Sequence, residues 1–249
     1  MNSLITVGSI GLDTLETPFE KAERVLGGSA PYFALAAKLY TDVGIRARFI
    51  AISTRPQFKE LVAKIHGIDD LTDPALKGKI AISNPAFGTA SGHIAALYLV
   101  LGEAKFTDLM NKLKANEIKL LGGNSAVADQ VAAGTIAAGL TDNDDVNNAK
   151  ADGQPIDGIL PDQGENGIGT LLIPGTVALI KNAQHQDNAK KLIDFICRQE
   201  IEKELIAQHY LAYSVRDTNS VKAMNVDYVQ AAHQMKHAVE LALTILQQR

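Results

Sequence analysis

The strongest constraint on the fold is a junction that recurs along the chain, in which a short apolar strand runs straight into a polar, glycine-marked helix start. The stretch Asp69 to His93, DDLTDPALKGKIAISNPAFGTASGH, holds the first example. Its apolar IAIS empties through the turn around Gly88 into a helical pattern over 89–101. Such a start leaves the backbone N–H groups of Gly88, Thr89, Ala90 and Ser91 suited to an anionic or strongly polar ligand. Beyond it the pattern predicts a helix over 105–114, a strand over 117–121, a helix over 124–133 and a strand over 136–140. A polar segment then runs through Asp152. Strands alternating with helices indicate an α/β fold.

The rest of the chain supplies the flanking elements. A strand is predicted at Leu4 to Val7, then a glycine turn, a charged segment to Arg24, and a helix from Ala30 to Tyr40 launched by Gly27-Gly28-Ser29. In RARFIAIS, residues 46 to 53, Ala47, Phe49 and Ala51 alternate with Arg46 and Arg48 as a strand would, and Pro56 ends it. A helix is predicted from Gln57 to Ile65 and a strand from Ile156 to Leu160. The turn-rich PDQGENG precedes GTLLIPGTVALI, the best candidate hinge. Helices from Asp187 to Cys197 and Glu200 to His209 lead into an irregular stretch containing Tyr213 and Arg216. A long helix from about Asp227 closes the chain, with Val239, Leu243 and Leu246 at the spacing of a docking face.

Composition removes several classes. The net charge of −4, without a Lys/Arg cluster, argues against nucleic acid as a partner. The absence of Trp and the scarcity of aromatics argue against an aromatic-lined sugar or nucleobase groove. No apolar run reaches spanning length, and the N-terminus as given shows no charged, apolar and small-residue regions of a signal peptide, so the expectation from the chain as written is a cytoplasmic location. Cys197 is the sole cysteine and lies among Leu192, Ile193 and Ile196 at helical spacing, the pattern of a buried structural thiol.

Three polar constellations stand just beyond strands: Asn84 to His93, the pair Asn124-Ser125, and the run Thr141-Asp142-Asn143-Asp144-Asp145. In open α/β sheets ligands bind at that edge, so three such turns together would make a wall of donors and carboxylates. Ser91, Asn124 and Asp142 are equally the residue types that cap helices, so capping is the competing reading. TDNDDVNN begins like a calcium loop but places Val146 and Asn147 where a ligand and a glycine are required. No metal site is therefore assigned, although the acidic run could hold a cationic group. His233 and His237 are spaced like a zinc pair without the catalytic Glu, which makes an exposed helical pair. His93 could touch a ligand or pack. No nucleophile elbow, P-loop or complete dinucleotide fingerprint occurs, so neither an enzyme nor a cofactor is expected.

From about residue 44 onward the chain resembles family 1 extracellular solute-binding proteins of ABC transporters, in the iron(III) and phosphonate branch. The resemblance is carried by RARFIAIST, LTDPALKGKIAISNPAFGT, LKANEIKLLGGNSAVADQVAAGTIAAGLTDNDD and PDQGENGIGTLLIPGTVALIKNAQHQDNAKKLIDFI. It implies a type 2 periplasmic-binding-protein-like fold, with residues 71–165 as a complete lobe and 44–70 and 166–249 as a partial second lobe with the C-terminal helix. Ligand would sit between the lobes, the family's anion-contacting turn falling on Gly88, Thr89 and Ala90 and its polar pair on Asn124 and Ser125. Where iron-binding members carry two tyrosines, this chain has Asn143-Asp144. The resemblance further implies a small anionic or metal-containing solute, a transporter permease as partner and a periplasmic or extracellular location.

The first 43 residues resemble the start of PfkB (ribokinase-like) sugar kinases, which would place Asp13, Gly27 and Gly28 near sugar hydroxyls. No GxGD-type motif follows, and GENGIGT has Thr170 where the catalytic Asp belongs. A kinase remnant without catalysis and a composite without function are thus the alternatives to a solute-binding module, whose binding the incomplete first lobe would weaken.

Overall fold

The computed structural model describes residues 11–16, 21–27, 37–180, 185–216 and 221–247. Its centre is a sheet in the order β5-β4-β6-β3-β7, formed by Lys119–Leu121 (β5), Ile80–Ser83 (β4), Ala138–Asp142 (β6), Ala37–Ser53 (β3) and Ile156–Ile159 (β7). β4 is parallel to both β5 and β6, whereas β3 is antiparallel to β6 and β7. β4 and β6 are buried throughout, as strands between two helical layers must be.

Side-chain alternation sorts the two layers. On one face Ile50, Ile80, Ile82 and Leu140 pack beneath Gly88–Ala115 (α2) and Tyr228–Gln247 (α7). On the other, Ala51, Ala81 and Ile156 pack beneath Asn124–Ala133 (α3) and Asn143–Ala151 (α4) through Val127, Val131 and Val146. α2 is the predicted pair of helices joined across Gly102, whose φ of 74° and ψ of 158° interrupt the helix. α3 covers its predicted span, Asn124–Ala133. The segment after residue 140 read as merely polar is helix α4.

Other elements differ from the sequence pattern. The predicted helix from Gln57 is a 3-10 turn, Pro56–Phe58, and a single α turn, Lys59–Val62 (α1). The buried face of α7 is Ala231, Met235, Ala238, Ala242 and Ile245, while Val239, Leu243 and Leu246 flank it half-buried. Small residues sit in the centre because they let α7 approach α2 closely. Cys197 follows Gln186–Ile196 (α5) and is half-buried rather than buried. His233 and His237 are exposed, and the His237 ring lies edge-on to Tyr98 at 5.4 Å. Among the described residues no helix is long and apolar enough to cross a membrane.

Before residue 44 the described backbone is strand. Gly11–Glu16 (β1) and Lys21–Gly27 (β2) form an antiparallel pair containing Asp13 and Gly27. Ala37–Tyr40, the end of the predicted helix from Ala30, is the start of β3 instead. The predicted strand Leu4 to Val7, residues 30–36 and Gly28 lie outside the described residues.

β3 is long because it serves two sheets. Residues 48–53 pair with β6 and β7, and residues 37–47 pair with Leu172–Ile180 (β8), the candidate hinge segment. The crossing point falls between Ala47 and Arg48, beside the edge where α2, α3 and α4 begin.

Candidate functional site

β4, β5 and β6 are parallel, so the helices that follow them all start at one edge of the sheet. None of the three starts carries a side-chain cap: the N-cap residues are Phe87, Gly123 and Asp142, and none uses its side chain to cap the helix. The capping reading of Ser91, Asn124 and Asp142 is therefore wrong. Ser91 lies inside the first turn of α2 and donates to the Pro85 carbonyl at 2.8 Å, and Asn124 opens α3 after its cap. Asp142 is at the cap position, but its carboxylate turns to other partners. An added Cβ at Gly88, Gly122 or Gly123 would meet nothing within 4 Å, so the starts of α2 and α3 border open space. Gly88 also has φ of 63°, a conformation glycine adopts without strain.

The partners of Asp142 form the centre of the site. β3 pairs with β6 in the register that sets Arg48 opposite Asp142. Both are completely buried, and Arg48 Nη1 donates to Asp142 Oδ1 at 2.6 Å. The same nitrogen donates to Asn124 Oδ1 at 3.0 Å and to Thr89 Oγ1 at 3.1 Å. Thr89 donates onward to Asp142 Oδ2 at 2.7 Å, and Asn124 Nδ2 donates to the same oxygen at 2.9 Å. Ser83, at the end of β4, donates to Asn124 Oδ1 at 2.6 Å. One residue from each helix start is thus tied to a single buried ion pair.

A second arginine lies two residues earlier on the same face of β3. Arg46 Nη2 lies 2.5 and 2.6 Å from the two Asp144 oxygens and 3.1 Å from Asp142 Oδ2. Its side chain keeps 22% of its exposure, which makes it the solvent-facing cation of the site, whereas Arg48 is sealed. Burial works against its charge, but Asp142 and Asp144 outweigh burial and raise its pKa. Tyr210 covers it, with the ring centroid 5.6 Å from the guanidinium carbon. Asn143 is buried and structural: its Oδ1 accepts from the Ala47 N–H at 2.8 Å, and its Nδ2 donates to the His209 carbonyl at 3.5 Å.

Three buried nitrogens of this cluster have no hydrogen-bond partner: Arg46 Nε, Arg48 Nη2 and His93 Nε2. His93 is completely buried, and its pKa is held well below the usual range by burial and by the charge of Arg48. It is neutral, and its Nδ1 accepts from Arg48 Nε at 3.4 Å, so Nε2 carries the proton. All three unpaired nitrogens are donors. The carboxyl of Asp145 is pushed up to about 6 by burial and then by Asp144 and Asp142, against the Thr141 hydroxyl and Arg46. Asp142, Asp144 and Asp145 bring carboxylate oxygens within 4.8 Å of one another. Asp142 and Asp144 hold the two arginines, and Asp145 accepts from the Thr141 hydroxyl at 3.2 Å.

Of the residues singled out in the sequence, Thr89, Asn124, Asp142 and Asp144 meet in this network, with Gly88 and the buried Ala90 beside them on α2. Asn84 braces its own turn by accepting from the Ala86 N–H at 2.9 Å. Ser125 is exposed and faces a separate groove of about 460 Å³ shared with Asp129, Asp145 and Asn148. Sequence reasoning missed Arg46, Arg48 and Tyr210 as site residues. The available signal was two arginines at strand spacing in a chain with an acidic run, TDNDD, able to pair with them.

Residues 27–211 match the family model described as bacterial extracellular solute-binding protein. The chain belongs to that family. The match begins within the first 43 residues, for which the comparisons show no sugar-kinase relationship, and ends before α7. An uncharacterized Haemophilus influenzae protein is 30% identical over 132 residues, which span 53% of this chain and 37% of that protein. The periplasmic binding protein AfuA of Actinobacillus pleuropneumoniae, solved with exogenous fructose-6-phosphate, superposes with a TM-score of 0.70 at 24% identity, over 84% of this chain and 69% of that one. The ferric binding protein of Campylobacter jejuni gives 0.67 at 20% identity, over 87% and 76%. The fold is that of type 2 periplasmic binding proteins.

Proposed function

We propose that this protein captures a small anionic solute, of the phosphate or phosphonate type, at the common edge of β4, β5 and β6, without chemistry, as the binding component of an ABC transporter. The observation that supports this most is the convergence of three helix starts lacking side-chain caps on an arginine pair. Helix starts carry partial positive charge and spare N–H groups, and the partly exposed guanidinium of Arg46 is a donor beside them. Donors without acceptors suit a ligand rich in oxygen. Gly88, Thr89 and Ala90 with Asn124 and Ser125 would supply its backbone amide contacts, and the exposed part of Arg46, already paired with Asp144, a further donor. Residues 71–165, with residues 48–53 of β3 inserted between β6 and β7, form one lobe of the clamp in this reading, and β8 returns the chain to the other. A permease is the partner and the periplasm the location.

A ferric ion is the competing solute, given the ferric binding proteins among the structural relatives. It fits less well, because Asp142 and Asp144, the carboxylates it would need, are held by Arg48 and Arg46. Titration calorimetry with inorganic phosphate, methylphosphonate, 2-aminoethylphosphonate and iron(III) citrate separates the two. Saturable binding of one of the anions is the expected result. Saturation by iron with all three anions silent overturns it.

A further inference from the structure

Resting on that reading, we infer that Tyr210 sets the solute class: its ring is a wall beside Arg46 on which the organic body of an acidic solute packs. The site thereby prefers an anion carrying an organic group to a bare inorganic ion. Tyr210 belongs to residues 209–213, a strap laid across β3. Leu211 is buried against Gly44, where an added Cβ would come within 2.2 Å of Leu211 Cδ1. Ile45 exchanges backbone bonds with Tyr213, N–H to carbonyl at 2.9 Å and the reverse at 3.0 Å. The buried Glu202 of Gln199–Ala207 (α6) holds the far end of the strap, accepting from the Ser214 hydroxyl at 2.8 Å and the Val215 N–H at 2.7 Å. Asn143 holds the near end through the His209 carbonyl.

A strap fixed at both ends carries an aromatic ring that is half exposed. Exposing a large ring costs hydrophobic free energy that the Leu211 and Tyr213 anchors on either side do not require. The ring stands over the one arginine of the pair that solvent reaches. An anion drawn to Arg46 therefore arrives beside this ring. Bare phosphate gains nothing from the apolar face. A phosphate monoester gains the contact of its C–H groups with the ring and, for a sugar, hydroxyls matched to a phenol.

The test is calorimetric titration of the whole chain and of Tyr210→Ala and Tyr210→Phe with inorganic phosphate and with glucose 6-phosphate. The ester binds about tenfold tighter than phosphate to the parent protein, the worth of one aromatic contact. Tyr210→Ala removes that preference, lowering the affinity for the ester about tenfold more than that for phosphate, and Tyr210→Phe keeps most of it. Phosphate binding without an ester preference, or an equal loss of both affinities in Tyr210→Ala, overturns the role of Tyr210 and leaves the solute-binding reading standing. Silence of the folded parent protein toward both anions overturns the two together.

Discussion

Replacing Arg48 by Met is the sharpest perturbation of the site. Met keeps much of the apolar stem and removes the guanidinium, so Asp142 is left as a completely buried carboxylate without its cation at 2.6 Å. Breaking a buried pair from one side costs about 3–5 kcal/mol, because the remaining charge stays desolvated. Asp142 retains Thr89 Oγ1 at 2.7 Å, Asn124 Nδ2 at 2.9 Å and Arg46 Nη2 at 3.1 Å, which places the cost near the lower end, about 3 kcal/mol. For a chain of this length that corresponds to a fall in Tm of about 6–12 °C, read by circular dichroism with matching urea titrations. Arg48→Lys does not restore stability, since one ammonium cannot reproduce the planar fork that reaches His93 through Nε and three side chains through Nη1. Arg48→Met with Asp142→Leu removes both charges but leaves Thr89, Asn124 and Arg46 without the acceptor they share, so it recovers about half of the single variant's loss. A cost under about 1 kcal/mol for Arg48→Met, or a double variant as unstable as the single one, refutes the desolvated-pair account.

Asp145→Asn should stabilise the protein at pH 7. A carboxyl raised to about 6 is held protonated more tightly by the folded state, so its contribution is full below about pH 4 and lost as pH rises through about 6. Discounted for partial exposure, the loss is on the order of 1–2 kcal/mol, and urea midpoints from pH 4 to 7 should flatten in the variant. Gly44→Ala meets both a φ of 137° and Leu211, and should cost about 2–4 kcal/mol while opening the strap to protease cleavage near Tyr210. Thr89→Val keeps the shape but loses a hydroxyl that accepts from Arg48 and Asn124 and donates to Asp142. It should lower stability by about 1–3 kcal/mol in urea titrations and weaken phosphate binding at least about tenfold by calorimetry.

Local pattern made much of the central sheet legible. Ile80–Ser83, the helix Asn124–Ala133 and the break at Gly102 follow from apolar period and glycine placement, which are properties of short windows. The same pattern located the turns at Gly88 and Asn124, and the family resemblance added their reading as ligand contacts. What local pattern could not carry was pairing over long separations. Arg46 and Arg48 read only as the polar positions of an alternating strand, because strand period says which residues share a face, not what covers it. Only the register that sets Arg48 against Asp142 turns that face into the centre of the site. The strap was illegible for a related reason: Tyr210 and Arg46 are brought together by Gly44 and Leu211, residues of small or ordinary type with no motif. The segment Ala37–Tyr40 misled in the opposite sense, since its helical composition yields to pairing with β8.

Amide chemical shifts during a phosphate titration test the anion site most directly. In a ¹H–¹⁵N correlation spectrum, the amides of Gly88, Thr89, Ala90, Asn124, Ser125, Asn143 and Asp144 should move together along one saturable isotherm, with the Arg46 Nε–H signal following them. Arg46→Gln should abolish that isotherm without moving the amides of α7, which packs on α2 at the opposite face from α3 and α4. Shifts scattered over surface lysines, or no shifts at these helix starts while iron(III) moves Asp142, Asp144 and Asp145 alone, would contradict an anion site at this edge.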